Sequence, residues 1–387
     1  MLTDGALRML VLLHFHELGF TPLQLAWLFL LYEVAGIATN LVAGWLGTRF
    51  GLALTLKAGL ALQVAALVAL TRLDPGWSVR ASVLFVMAVQ GASGVAKDLS
   101  KTAAKSAVKL LAPEGRGLFR WVAVLTGSKN AVKGAGFFLG AGLLATVGFG
   151  PALWIMAAGL AAILLAVVLA LPEGLSAKVK GAKFAQIFAR DGRVNRLSLA
   201  RLFLFAARDV WFVVALPIWL HDLLSRTMGA GDAFFLVGGF MALWIIGYGA
   251  VQALTPRLIR DGSAGAATGW VLALAAVPAA LAALVLSLPE AAWPVLAGLM
   301  VFGAAFAVNS ALHSFLILDY AGAGRVTMDV GFYYMANAGG RLLGTVLSGL
   351  TYMAGGLPLA LAVSAALLLV SGGVVGTLRG IRAPDAA

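Results

Sequence analysis

The chain has 387 residues, 61% hydrophobic and only 11% charged, with a mean hydropathy of +0.97, which excludes a soluble globular domain. Its formal net charge of +12 would suggest nucleic acid on a soluble protein, but here the excess sits in short loops between apolar runs, a topology signal that implies no nucleic-acid partner. With no cysteine there are no disulfides, no thiolate metal sites and no thiol capture of a soft ion.

The apolar runs are continuous and about 20 residues long, so they read as membrane helices and not as barrel strands. In chain order the expected spans are 2–18, 23–46, 54–73, 79–103, 118–147 and 151–171, then 197–220, 233–254, 264–286, 291–318, 326–352 and 357–378. A polar, basic stretch, 172–196, separates the halves. The expected domains are therefore a six-helix bundle over 1–171, a central loop over 172–196 and a second bundle over 197–387. Six plus six around a central loop is the organisation of the major facilitator architecture.

Loop cations set the orientation. Arg49, Lys57, Lys101, Lys105, Lys109, Arg116, Arg120, Lys178, Lys180, Lys183, Arg190, Arg193, Arg196, Arg257, Arg260, Arg325, Arg379 and Arg382 fall on one side, against Arg72, Arg80 and Arg226 on the other. This predicts an inner-membrane protein with both termini and the central loop in the cytoplasm. The halves also read as repeats. Asp4 precedes His16-Glu17 by the spacing at which Asp209 precedes His221-Asp222, and Asn130-Ala131 recurs as Asn337-Ala338. In that register Asp4 corresponds to Asp209. Asp209 has half a helix before it and Asp4 only three residues, so the first span, about 26 Å long, is expected to lack its N-terminal half. The alternative is a short helix with local bilayer thinning. No cleavable leader is apparent.

Seven cations, Arg8, Lys97, Lys129, Lys133, Arg201, Arg208 and Arg341, lie within the spans. A cation at the bilayer centre costs about 3 kcal/mol on insertion scales, so the chain must compensate each one. Counted from residue 118, Lys129 is about 16 Å deep and Lys133 about 22 Å, one turn apart on one face. They are expected to contact a cavity or substrate; the alternative is pairing with an acid such as Glu33 or Asp209. Arg208 and Asp209 lie about 18 Å into their span. Arg8 either serves the cavity or pairs with Asp4 in an i,i+4 couple, and a guanidinium there would offer a fork to phosphate or carboxylate. Asp329, Tyr333, Tyr334, Asn337 and Arg341 recur at helical spacing as one polar face, with no acid near Arg341 in sequence. The expected substrate-binding residues are thus Lys129, Lys133, Arg208, Arg341, Arg8 and Asn337. Asp4, Glu33, Asp209 and Asp329 are expected to carry protons or balance charge, or else to pair with the cations. Lys97, Lys101, Lys105 and Lys109 form an i,i+4 stripe, read as a solvated or lipid-facing edge where Lys97 can snorkel to the interface; the alternative is an entry funnel for anions. The four histidines show no metal spacing, and no catalytic cluster appears at either membrane face. No metal, cofactor or catalytic residue is expected, and the chain is read as not an enzyme.

GWLGTRFG (44–51) resembles the loop 2–3 signature of the major facilitator superfamily, with Thr48 where that pattern usually has Asp. More specific strings are TDGALRMLVLLHFH (3–16), LYEVAGIATNLVAGW (31–45), AKDLSKTAAKSAVKLL (96–111), WVAVLTGSKNAVKGAGFFLG (121–140), ARDVWFVVALPIWL (207–220) and DVGFYYMANAGGRLLG (329–344). Together they resemble the ArsJ-type organoarsenical efflux permeases. That resemblance implies export of 1-arseno-3-phosphoglycerate, the ester formed when glyceraldehyde-3-phosphate dehydrogenase uses arsenate for phosphate, and hence arsenate resistance with that dehydrogenase as functional partner. A cysteine-free, lysine- and arginine-rich cavity suits such a cargo. It would equally suit another organic anion such as a sugar phosphate, and a non-transporting sensor or a membrane enzyme are readings of another class.

Overall fold

A chain crossing lipid must satisfy every backbone amide internally, so its long apolar runs become helices. The computed structural model describes residues 1–74, 76–111, 116–170, 191–259, 261–290, 292–320 and 326–378, for some helical stretches by backbone alone. All regular structure among the described residues is helical. In order the helices are α1 (Leu2–Glu17), α2 (Pro22–Leu28), α3 (Leu30–Phe50), α4 (Leu52–Leu70), α5 (Val79–Leu111), α6 (Arg116–Val147) and α7 (Phe149–Ala170). There follow α8 (Gly192–Phe212), α9 (Ala215–Leu224), α10 (Ala230–Leu258), α11 (Ala264–Ser287), α12 (Ala292–Tyr320) and α13 (Val326–Gly376). The expected central loop up to residue 190 and its cations lie outside the described residues, as do Arg260, Arg325, Arg379 and Arg382. So do the side chains of Arg49, Lys105, Lys109, Arg116, Arg120 and Arg257.

Among the described residues, nine helical stretches are long and apolar enough to cross a membrane. The last of them covers the two final expected spans; α1, of 16 residues, and α6 stand where the first and fifth spans were expected but are not among the nine. Where the helices depart from the expected spans, the sequence supplies the reason. The seventh span is broken after Phe212, because Pro217 cannot donate to the carbonyl four residues back and its ring crowds that turn. The orphaned amides of Val214 and Ala215 both donate to Ser348 Oγ, at 3.2 and 3.1 Å. The last two spans run together as α13 and turn at Gly355-Gly356, where Gly356 takes a left-handed φ of 64° ahead of Pro358.

Contacts divide the chain into two units, residues 1–184 with 224–246, and 185–223 with 247–387. In the first unit α7 is apolar all round and turns Leu165 and Leu169 outward, as a lipid-facing helix does. In the second unit α8 carries Arg201, Arg208 and Asp209 and buries all three. Serines fasten α13 to it: Ser364 Oγ donates to the Ala207 carbonyl at 2.6 Å and Ser371 Oγ to that of Ala200 at 2.8 Å.

Each unit contains the same small-residue clasp. A side chain on Gly136 or Gly140 of α6 would strike the α1 backbone at Leu2 and Ala6. One on Gly340 or Gly344 of α13 would strike the α8 backbone at Leu202 and Ala206. The glycines are 204 positions apart and the residues they meet are 200 apart. This corrects the register expected from sequence: within the clasps Arg8 is level with Arg208, and Asp4 with Leu204 instead of Asp209.

Candidate functional site

In the first unit, α1, α3, α5 and α6 bring their charged residues together. The residue-level burial of α1 reaches Asp4 and Arg8, 7% and 9% exposed. Arg8 does not pair with Asp4. Its Nη2 meets Glu33 Oε1 on α3 at 2.6 Å, with the guanidinium over the rings of Phe29 and Tyr32. Asp4 instead accepts from Tyr32 Oη at 2.5 Å, and that phenol oxygen accepts from Lys97 Nζ at 2.6 Å. A chain Lys97–Tyr32–Asp4 thus links α5, α3 and α1. Lys97 does not snorkel: its ammonium lies 4.1 Å from the centre of the Tyr32 ring and 3.8 Å from Asp98. The next lysine of the stripe, Lys101, bonds Asp98 at 2.6 Å and Asn40 at 3.1 Å. The i,i+4 spacing was visible in the sequence; that its inner members turn toward α3 was not, because nothing in it marks Tyr32 or Asn40 as partners.

A cavity of about 300 Å³ opens among α1, α4, α5, α6 and α7. Its charged lining is Asp4, Lys97, Lys101 and Lys129, with Gln63, Ser100 and Ser128 as neutral polar groups. Gln63 accepts from Ser93 through Oε1 at 3.0 Å. Lys133, one turn on from Lys129, holds its ammonium 5.4 Å from the Phe137 ring centre, and its charge acts on Asp4. Three lysines face Asp4 in the lining and Asp98 just behind it, which holds Lys101 and lies near Lys97, so the cluster keeps one positive charge in excess.

In the second unit, Asp209 is fully buried and serves two arginines. Arg208 folds back on its neighbour, with Nε at 2.6 Å and Nη2 at 2.5 Å from Oδ1. Arg341 on α13, without an acid near it in sequence, reaches Asp209 Oδ2 with its Nε at 3.5 Å. The proline-free stretch of α8 and the clasp at Gly344, which abuts the Asp209 side chain, bring α13 close enough for this. Asn337 accepts from Arg201 Nε at 3.0 Å. Asp329 is buried at the start of α13, about 18 Å along the helix from Arg341, and does not join the Asp209 group. The expected polar face of α13 splits: Tyr333 is wholly buried and Tyr334 is 42% exposed.

The fold and the buried, cation-rich interior define a polytopic membrane transporter. The sequence matches the profile of the Major Facilitator Superfamily over residues 1–327, and the chain belongs to that superfamily; it is a transporter and not an enzyme. Among solved structures it is similar to the "Crystal structure of a bacterial homologue of iron transporter ferroportin in inward-facing state", with a TM-score of 0.72 and 15% identity. That match covers 98% of this chain and 96% of the other, and at this identity it speaks for the fold alone. No curated protein matches the chain.

Proposed function

We propose that this protein is a secondary active efflux transporter for a small organic anion, that its cargo is 1-arseno-3-phosphoglycerate, and that it confers arsenate resistance from the inner membrane, with both termini in the cytoplasm. The observation that carries the anion reading is the lining of the first unit's cavity, with Lys97, Lys101 and Lys129 against Asp4 and the adjoining Asp98. A lining of that sign repels a metal cation and attracts carboxylate, phosphate or arsenate. Its volume lies at the small end of the range of about 300–1,000 Å³ usual for ligand sites. The arsenylated cargo is supported by the permease-like strings of the sequence, which run through α1, α3, α5, α6, α8 and α13.

In this reading Lys129 and Lys133 neutralise the oxyanion as it enters. Arg341, which shares Asp209 with Arg208, carries the second unit's surplus positive charge, and Asn337 adds a neutral polar contact. Arg8 is balanced by Glu33 and holds α1 on α3. Asp4 answers to Lys97 through Tyr32, so cargo that draws Lys97 away leaves Tyr32 and Asp4 to re-pair, a route by which substrate charge and carboxylate protonation are coupled. Alternating access then hands the anion outward. Glyceraldehyde-3-phosphate dehydrogenase supplies the cargo.

The test uses arsenic-sensitive bacterial cells that carry the dehydrogenase, with and without this chain. Wild type is expected to raise arsenate tolerance only when the dehydrogenase is active, and Lys129→Ala with Lys133→Ala to abolish the gain at unchanged protein level. Uptake into everted vesicles with competing anions separates a sugar-phosphate carrier from an arsenylated-ester exporter. Undiminished tolerance in the double lysine variant overturns the site. No tolerance from wild type, with sugar phosphate taken up, overturns the cargo.

A further inference from the structure

Arg201 is the buried cation whose chemistry the preceding reading leaves unused. It stands on α8, two turns before Arg208, and only 4% of its surface is accessible. Among the described residues no carboxylate pairs with it. Its partners are neutral: Nε donates to Asn337 Oδ1 at 3.0 Å and Nη1 to the Ser310 carbonyl at 3.2 Å. Its guanidinium carbon lies 4.1 Å from the centre of the Phe205 ring and 5.0 Å from that of Tyr333. Arg208 and Arg341, by contrast, lean on Asp209. Among the described residues Arg201 meets only amide, carbonyl and aromatic groups.

A guanidinium has five N–H donors in one plane. The two hydrogen bonds use two of them, and the rings lie over the guanidinium. Three donors therefore have no acceptor among the described residues. Close by is a second unspent group. His313 is three residues beyond Ser310 on α12, on the same face, wholly buried and within electrostatic reach of Arg201. Neither of its ring nitrogens has a hydrogen-bond partner. An imidazole supplies at least one N–H whatever its charge. Around them Ser310 is held by Tyr248 and Gln252, at 3.2 and 3.3 Å, so the neutral frame is fixed by its own bonds.

A buried cation with neutral partners, spare in-plane donors and an unsatisfied imidazole beside it is complementary to a planar or tetrahedral oxyanion. The partners that hold Arg201 also fix its plane, which lowers the ordering cost of binding. We propose that Arg201, with His313, is an oxyanion-binding site of the second unit, which takes the carboxylate or phosphate group of the transported anion. This rests on the organic-anion reading above and adds a residue set to it, separate from the lysines of the first unit and from the Asp209 arginines.

The experiment uses the full chain in lipid nanodiscs and a stable probe, radiolabelled 3-phosphoglycerate, which carries one phosphate and one carboxylate. Binding is titrated for wild type, Arg201→Gln, Arg201→Lys, His313→Ala and Arg72→Gln, the last removing a charge from an exposed loop. Loss of a charge-assisted contact predicts that Arg201→Gln raises the half-saturating concentration roughly 10- to 100-fold, with Arg72→Gln unchanged. His313→Ala is expected to raise it several-fold. Competition by glycerol 3-phosphate or by glycerate then shows which end of the probe the arginine holds, because that competitor loses its advantage in Arg201→Gln. Arg201→Lys keeps the charge without the fork; it is expected to fold and to bind more weakly than wild type, and it decides the matter if Arg201→Gln yields no folded protein. Wild-type affinity in folded Arg201→Gln, or in Arg201→Lys where the other fails, overturns this site and leaves the anion reading standing. A wild-type chain that binds neither the probe nor its two competitors overturns both.

Discussion

Asp209 is the position where one substitution should expose the charge economy of the second unit. The carboxylate is fully buried and holds Arg208 through two nitrogens, with Arg341 3.5 Å away on the other oxygen. Asp209→Asn keeps the shape and removes the charge. It leaves two guanidinium groups on one neutral amide, and stranding a buried charge costs about 3–5 kcal/mol. Folded proteins are stable by only about 5–15 kcal/mol, so the variant should lose much of its margin. Removing the closest cation as well should return most of it, because replacing both members of a buried pair can be nearly neutral. The assay is the fraction of monodisperse protein that survives a heating series in detergent, for wild type, Asp209→Asn, Arg208→Gln/Asp209→Asn and the exposed control Asp232→Asn. The expected order places Asp209→Asn well below the other three. The reasoning is refuted if Asp209→Asn melts with wild type, or if the double variant is no more stable than the single one.

Other outcomes follow from the same geometry. Gly340→Ala puts a methyl group onto the Leu202 carbonyl and should cost about 1–3 kcal/mol, whereas Gly269→Ala, with open space around it, should be neutral or up to about 1 kcal/mol stabilising in the same heating assay. Ser348→Ala removes the one acceptor for the Val214 and Ala215 amides and should destabilise by about 1–3 kcal/mol, more than Ser364→Ala, which removes a donor to a carbonyl already on a helix. Tyr32→Phe breaks the Lys97–Tyr32–Asp4 chain at its centre and leaves two buried charged groups short of a partner, a loss of about 1–3 kcal/mol; vesicle transport per folded molecule should fall several-fold, and undiminished transport would remove the coupling route proposed for Asp4. Asp191 caps α8. Burial works against its charge, but hydrogen bonds from Arg193 hold its carboxyl below the ordinary value. A lowered folded-state value means that its stabilisation is present above the unfolded-state value, near 4, and is lost as pH falls through the folded one. The melting difference between wild type and Asp191→Ala, about 1 kcal/mol near neutrality, should therefore shrink as the pH falls below about 4 and disappear only below the folded-state value.

The helical architecture was readable because apolar length and loop charge are strong, local signals. The sequence also marked Asp4, Arg8, Glu33, Arg208 and Asp209 within the apolar spans, and the structure buries all five. What it concealed was partnership. Arg8 has an acid one turn away and chooses Glu33, 25 positions on, because α3 packs against α1 at that level. Arg341 has no acid nearby in sequence and finds Asp209, 132 positions earlier, because two glycines bring α13 onto α8. Arg201 and Lys97 were visible as cations within the expected spans but carried no motif. Their interest comes from what surrounds them, Asn337 and two rings in one case and Tyr32 in the other. The break in the seventh span was missed: 197–220 reads as one apolar run, and the consequence of Pro217 depends on whether a hydroxyl waits across the gap.

That hydroxyl has a mechanical meaning. One oxygen lone-pair set receives two successive amides, so the short segment Ala215–Leu224 is hooked to α13 at a single point and not along a seam. A hook of this kind does not stretch by degrees. A swing of the segment would have to drag residue 348 along or break both amide bonds to its hydroxyl together, so Ser348 would be the catch of a latch with two positions.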